Sequence, residues 1–259
     1  MPAGAAVSES KPQAAARLQA HLETASRLRA AALADPAAHA AMLTLRHWQS
    51  GRLTRTYPDL LAHPRYHAPT RFFFDELYGA KDLSGRDRDV HRMLPTMTRL
   101  LPATALSTIA DAMELDALTE RLDDALLHAL RATQGRAPGA ALDAITEANY
   151  ARAYRACDNR PERARQVEFV TTIGTDLEAL TRIPLLEGTI RLMAGPARAA
   201  GLTSLHQFLA TGFSTFKNMG SAREFLGIIT ARENLLLMRL FDGAPAPFEG
   251  LAQATPAPK

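Results

Sequence analysis

The chain has 259 residues, of which 47% are hydrophobic and 22% charged, so it can bury a sizeable core and is too apolar to be wholly disordered. Its 30 basic and 27 acidic residues leave a formal charge of +3, which is too even for a protein dedicated to nucleic-acid binding. Cys157 is the only cysteine, which excludes an intramolecular disulfide and a cysteine-based zinc cluster.

The N-terminal sequence lacks the basic segment and following apolar segment of a secretory signal, and no apolar run approaches the roughly 18 to 20 residues of a membrane-spanning helix. We therefore expect a cytoplasmic protein without a membrane segment. Arginine makes up most of the basic residues, and the chain is also rich in alanine. This composition is typical of the coding bias of a GC-rich bacterium.

Helical periodicity dominates the chain, and alternating strand patterns are nearly absent. The sequence predicts an all-α fold, a multi-helix bundle of roughly eight to ten helices with no significant sheet. We expect a flexible N-terminus over residues 1–12 and a single all-α domain over 13–243, with a subdomain break near 133–140 as an open alternative. The Pro/Ala-rich tail, 244–259, has little to bury and is expected to be disordered or loosely attached.

Prolines predict two helix boundaries in the first quarter of the chain. Asp35 is a good N-cap, and Pro36 occupies the first helical position, where its missing N–H costs nothing. Pro58 falls inside the following helical pattern and should end or kink that helix.

Residues 71–95, RFFFDELYGAKDLSGRDRDVHRMLP, set three phenylalanines against alternating arginine and aspartate. The pairs Phe73/Leu77 and Phe74/Tyr78 are four residues apart, which places each pair on one face of a short helix. The segment therefore begins as an amphipathic helix.

A second helix should start at Ser84, with Asp87 in the capping-box position and Asp89 also in the first turn. This predicts a solvated, capped helix start. Alternatively, Arg86 and Arg88 could bind a carboxylate or phosphate.

Residues 149–165 carry a local excess of arginine beside Tyr150 and Tyr154, which lie one helical turn apart. Such a face could bind an anionic ligand, a nucleic-acid backbone or an acidic partner, although a solvated basic face with local ion pairs is the preferred explanation. The arginines are Arg152, Arg155, Arg160, Arg163 and Arg165.

Near the C-terminus, Ser221 and Glu224 have the spacing of a capping box before a strongly apolar helix. Arg232 interrupts the apolar face of that helix, with Glu233 next to it. A buried arginine is costly unless paired, so both side chains should find partners elsewhere in the bundle, either in structural ion pairs or in a polar pocket between helices.

Recognisable catalytic and cofactor motifs are missing from the sequence. There is no dinucleotide fingerprint, P-loop or nucleophile elbow. His63 and His67 have Pro64 between them and lack the glutamate of a zinc-protease motif, and His128 is a weak haem-ligand candidate. No cofactor and no metal site are predicted, and catalytic residues are unknown.

At residues 55–61, 71–95 and 201–233 the chain resembles a family of uncharacterised all-helical proteobacterial proteins. The resemblance spans roughly residues 45–243, and its most specific phrase is F-F-x-x-x-L-Y-G followed by R-D. It implies a helical fold and a bacterial origin, with no assigned activity or catalytic residues.

The leading hypothesis is a non-catalytic binding module that uses segment 71–95 and the arginine and tyrosine face to recognise a protein partner, with a homodimer as one candidate assembly. The alternative is a small-ligand-binding protein or enzyme with a polar inter-helix pocket around Arg232 and Glu233, taking a small anionic ligand; a haem or metal protein is weaker. The candidate ligand-binding residues are Tyr78, Asp82, Arg86, Tyr154, Arg155, Arg163, Arg232 and Glu233.

Overall fold

The computed structural model describes residues 9–77, 84–137 and 139–254, and all regular structure within them is helical, which confirms the all-α prediction. The helices are α1 (Lys11–Ala34), α2 (Pro36–Thr56), α3 (Pro58–Ala62), α4 (His67–Phe72), α5 (Ser84–Leu100), α6 (Ala103–Thr133), α7 (Glu147–Ala156), α8 (Arg160–Leu180), α9 (Leu186–Leu192), α10 (Ala194–Ala199), α11 (Thr203–Met219) and α12 (Arg223–Phe241). A π-helical turn (Phe73–Leu77) follows α4, and a 3₁₀ turn (Leu251–Gln253) follows α12. None of the described helices is both long and apolar enough to cross a membrane.

The proline-marked boundaries lie where the sequence places them. The Asp35 carboxylate accepts hydrogen bonds from the amides of Ala37 and Ala38, at 2.9 and 3.3 Å, and Pro36 opens α2. Pro58 opens α3 directly after α2 has ended. Both signals involve only neighbouring residues, so the sequence alone can locate these two helix starts.

The phenylalanine segment differs from the predicted short α-helix. Phe73 begins a π-helical turn, whose hydrogen bonds reach five residues along the chain, so the spacing of four no longer aligns Phe73 with Leu77 as in an α-helix. Phe72, Phe73 and Phe74 are all buried. Because π-helical turns are rare and concentrate at functional sites, this one marks a region to inspect.

Helix α6, with 31 residues, is the central element of the bundle. The buried residues form three apolar clusters, and α6 contributes to each of them, through Leu106, Leu115 and Leu126 respectively. The first cluster joins α6 to α1, α5, α8 and α9 to α11; the second to α2, α3, α8, α11, α12 and the π-helical turn; and the third to α2, α7, α12 and the 3₁₀ turn. All three apolar clusters of the bundle therefore meet on this one helix.

A buried ion network fastens α1, α2 and α5 to α6. The Arg29 guanidinium donates to Asp87 (2.7 and 2.8 Å), to Asp116 (2.7 Å) and to Glu120 (2.8 Å). Arg46 from α2 reaches the other oxygen of Glu120 at 2.7 Å. Because both arginines share one carboxylate, the network continues across the three partner helices.

The position of Asp87 corrects the expected solvated start of α5. Asp87 is 3% exposed, with both of its oxygens bound by Arg29. The Asp87 carboxylate therefore forms a tertiary ion pair with Arg29, and α1 shields it from solvent.

The start of α12 also differs from the predicted capping box. Ala222 is the N-cap residue, and its amide donates to the Glu178 carboxylate at 2.8 Å. Glu224 instead accepts a hydrogen bond from the Tyr66 hydroxyl at 2.5 Å. A carboxylate from α8 therefore takes over the role that sequence spacing gives to Glu224.

Residues 244–254 pack against the bundle, whereas their composition favoured a loosely attached or disordered tail. Leu251 is buried in the third cluster, and Phe248 meets the Trp48 ring edge-on at 5.8 Å. Residues 255–259 lie outside the described residues. Burial of these two side chains acts together with hydrogen bonds from Arg239 to the carbonyls of Pro247 and Glu249 to hold the segment.

Replacing Arg29 with methionine tests the ion network. We expect Arg29→Met to lower the free energy of unfolding by about 3 to 5 kcal/mol, since it leaves buried carboxylates without their counter-charge. Denaturant unfolding followed by circular dichroism measures the change. Arg27→Met, an exposed position on the same helix, is the matched control and should shift it by about 0.5 kcal/mol or less; equal effects of the two variants would contradict the network's role.

Candidate functional site

A polar cavity of about 120 Å³ lies between α2, α6, α7, α8, α12 and the π-helical turn. A single water needs only about 10 to 15 Å³, so the space can hold a small molecule or several waters. Its polar lining consists of Arg46, Gln49, Arg52, Tyr57, Thr70, Asp116, Thr119, Glu120, Asp123, Tyr150, Tyr154, Arg163, Gln166 and Glu233.

The carboxylates that α6 contributes to this cavity already have donors. Glu120 is bound by Arg29 and Arg46, and the amide of Gln49 donates to Asp123 at 3.0 Å. Burial raises the pKa of Glu120 above its usual range even though both arginines oppose that shift. Both of these carboxylates on the α6 side of the cavity therefore already accept hydrogen bonds from protein donors.

Glu233 enters the cavity from α12 and is also paired. One of its oxygens accepts hydrogen bonds from Arg52 at 2.5 Å and from the Tyr57 hydroxyl at 2.6 Å. Burial, reinforced by the negative charge of Glu233, raises the pKa of Tyr57 well above its usual range. Tyr57 therefore remains a hydrogen-bond donor at neutral pH.

Arg163 is paired differently from the other arginines of the lining. It is 5% exposed, and within the described parts of the chain no carboxylate lies within the 4 Å of an ion pair, whereas Arg46 and Arg52 each have one. Its Nη2 donates to the Leu122 carbonyl at 3.0 Å and its Nη1 to Gln166 at 3.1 Å.

The Nε atom of Arg163 is buried without a hydrogen-bond partner among the described residues. The guanidinium lies 4.7 Å from the centre of the Tyr154 ring, which offers a weak attraction and no acceptor for that N–H. A buried charge and an unmatched donor both cost free energy, so this position favours an acceptor that the described residues do not supply.

Tyr150 and Tyr154 do not form the surface that their spacing beside the arginines predicted. They are 4% and 9% exposed and line the polar cavity, while Arg152 and Arg155 are exposed. Burial raises the pKa of both tyrosines, against the influence of Arg163. The aromatic residues of α7 thus face inward, and of the basic segment's arginines Arg163 joins them at the cavity.

Arg232 is a structural residue outside the cavity lining. It is 1% exposed and forms a two-pronged ion pair with Asp59 at 2.7 and 2.8 Å. It also donates to the carbonyls of Thr56 and Ala254, at 3.0 and 2.9 Å. The prediction that this arginine finds partners elsewhere in the bundle is confirmed, and its neighbour Glu233 points to the cavity instead.

The described lining of the polar cavity does not include the candidates Tyr78, Asp82, Arg86 or His128. Tyr78 and Asp82 lie outside the described residues, as does the side chain of Arg86 in the first turn of α5. His128, the weak haem candidate, lies on the surface of α6 at 61% exposure, with Nε2 3.7 Å from Asp124.

A second, apolar cavity of about 190 Å³ adjoins the first, between α5, α6, α8, α9 and α11. Phe73, Asp116, Thr119 and Val170 line both cavities. By the measured dependence of stability on cavity volume, unfilled apolar space of this size costs a fold about 4.5 kcal/mol. An apolar group inside would recover part of that loss.

Sequence reasoning missed most of the polar lining, although a signal was present. Glu120 follows Ala117 by three residues and Met113 by seven, so it interrupts a buried row of α6 just as Arg232 interrupts one of α12. Arg163 precedes Val170 by seven residues in the same way. Charged residues on apolar rows are the pattern that finds this site.

The chain belongs to the family described as "Domain of unknown function (DUF8198)", whose profile matches residues 28–247. The matched range contains both cavities and the ion network. No curated protein and no solved structure matches the chain significantly.

The ion pair between Asp59 and Arg232 predicts a pH-dependent loss of stability. The hydrogen bond from Arg232 lowers the pKa of Asp59, so the stabilisation is present above the ordinary carboxyl pKa of about 4 and is lost as the pH falls through the folded-state value. Because the Asp59 side chain is 47% exposed, solvent screens this ion pair. We expect its pH-dependent contribution to the free energy of unfolding to be about 1 kcal/mol or less.

We expect Asp59→Asn to destabilise the protein most near pH 7, with the difference from the unmodified chain shrinking below pH 4. Denaturant unfolding at both pH values measures this, with Asp124→Asn on the surface of α6 as the control. A difference that stays constant with pH would show that the charge of Asp59 is irrelevant.

Proposed function

We propose that this protein is a small-molecule-binding helical protein whose polar cavity binds a carboxylate-like anionic group at Arg163. The observation that carries the proposal is the buried Arg163 guanidinium, which lines the cavity with an unmatched Nε and no ion-pair partner among the described residues. A carboxylate offers two acceptor oxygens, which suit the planar fork of an arginine.

Neighbouring donors support an acceptor-rich ligand group. The hydroxyls of Tyr150 and Tyr154 are protonated at neutral pH, since the ordinary tyrosine pKa is about 10 and burial raises it, so both can donate. The carboxylates on the α6 wall are bound by arginine or glutamine, which limits their repulsion of an incoming anion. The charges of the cavity are thus matched in pairs except at Arg163.

The ligand-binding alternative fits this geometry better than the interaction-module hypothesis. That hypothesis relied on an exposed arginine and tyrosine face and on segment 71–95, but Tyr150, Tyr154 and Phe72 to Phe74 are buried. The haem alternative relied on His128, which lies on the surface away from both cavities. A protein partner remains a separate hypothesis.

We further propose that the protein acts in the cytoplasm of a bacterium. The arginine- and alanine-rich composition supports a bacterial origin, and the single cysteine supports a reducing compartment. Burial raises the pKa of the Cys157 thiol, so it is a poor nucleophile at neutral pH and plays no part in this proposal.

Substituting Arg163 tests the proposed function. In calorimetric titrations with acetate, Arg163→Gln should weaken binding by about 10- to 100-fold, the worth of a charge-assisted hydrogen bond. Arg163→Lys should be intermediate, since it keeps the charge and loses the fork.

The matched control is Arg165→Gln, two residues along α8, where the side chain is 59% exposed and pairs with Glu114. It should bind acetate like the unmodified protein. Far-UV circular dichroism and thermal unfolding confirm that each variant is folded. Equal acetate affinity in folded Arg163→Gln and Arg165→Gln would overturn the proposal.

A further inference from the structure

We infer that the ligand is amphipathic: an organic acid whose carboxylate lies at Arg163 and whose apolar chain fills the adjoining apolar cavity. The inference rests on the proposed function for its head group and adds the class of molecule. It follows from how the two cavities meet and from what lines the second one.

The head-group position lies close to the apolar cavity. Arg163 donates to Gln166 at 3.1 Å, and Gln166 in turn donates to Thr119 at 2.9 Å. Thr119 lines both cavities. Only two hydrogen bonds therefore separate the guanidinium from the junction, so one small molecule can occupy both spaces.

The junction is formed by side chains from three elements. Phe73 of the π-helical turn, Asp116 and Thr119 of α6 and Val170 of α8 line both cavities. Asp116 is already bound by Arg29 at 2.7 Å, so its charge is compensated. A chain passing this point would contact the Phe73 ring and Val170 on its way into the second cavity.

The second cavity offers almost nothing to a polar group. Beyond the junction its polar side chains are those of Thr108 and His206, and both are engaged: the Thr108 hydroxyl donates to the Thr104 carbonyl at 3.0 Å, and a ring nitrogen of His206 lies 2.8 Å from the Ile190 carbonyl. The rest of the described lining is apolar and includes Met97, Leu101, Met113, Leu177, Phe208 and Phe213. Such a lining selects an alkyl or other apolar group.

A chain-length series tests the inference on the purified full-length protein. Acetate, butyrate, hexanoate, octanoate and decanoate are titrated by calorimetry below their micelle-forming concentrations, together with 1-decanol. We expect affinity to rise by about three- to fourfold per methylene buried until the cavity is filled. Arg163→Gln should weaken every acid by a similar factor and leave 1-decanol unchanged.

A second test fills the apolar cavity with a larger side chain. Ala112 lines that cavity without lining the polar one, so Ala112→Phe should flatten the series while acetate binds as before. Ala164→Phe, at an exposed position of α8, is the matched control and should retain the full chain-length dependence.

The outcomes separate the two proposals. Acetate binding that depends on Arg163 but does not strengthen with chain length would overturn the amphipathic ligand and keep the proposed function. A rising series that Arg163→Gln leaves untouched would overturn the anionic head site. Absence of binding for the whole series would overturn both.

Discussion

The fold depends on placing carboxylates inside the bundle on its longest helix. Asp116 and Glu120 project from α6 among apolar residues, where an uncompensated charge would be prohibitive. Arg29 and Arg46 supply the counter-charges from α1 and α2, and Asp87 brings α5 to the same guanidinium. Since breaking a buried pair costs far more than the pair contributes in net stability, the network acts mainly as a constraint on which helices meet and where.

The same charges border the polar cavity. Glu120 lines it and is held by Arg29 and Arg46, so one set of ion pairs both joins the helices and forms part of the cavity wall. Two of the apolar clusters border the cavity: Leu53 and Val170 belong to one, and Leu236 and Tyr154 to the other. Within this arrangement Arg163 is the position where the charges of the lining are left unmatched, and the apolar cavity begins close by.

Local features of the sequence were sufficient to predict local features of the fold. Asp35 and Pro36 define the start of α2 because capping and proline geometry involve only neighbouring residues. Gly220, with a φ of 75°, ends α11 in a backbone conformation that favours glycine. The predicted starts of α5 and α12 were wrong because they depend on partners far along the chain: Asp87 was expected in solvent and instead meets Arg29, 58 residues away, and the Ala222 amide is capped by Glu178, 44 residues away.

The site was only partly predictable for the same reason. Periodicity identified Arg232 as a polar interruption of a buried face, with Glu233 beside it. It could not tell that Arg232 binds Asp59 as a structural ion pair while Glu233 lines a cavity. Arg163 was grouped with exposed arginines because they are adjacent in sequence, although its spacing to Val170 places it on the buried side of α8. For other members of this domain family, charged residues on otherwise apolar helical rows are the places to look first.

The most direct test of an anion site at Arg163 is native mass spectrometry of the gently purified protein beside its Arg163→Gln variant, each compared with its denatured mass. The account predicts a non-covalent adduct with the mass of an organic acid on the unmodified chain, which the variant does not retain. An adduct held equally by both proteins would contradict it. So would bare masses for both that persist after decanoate is added.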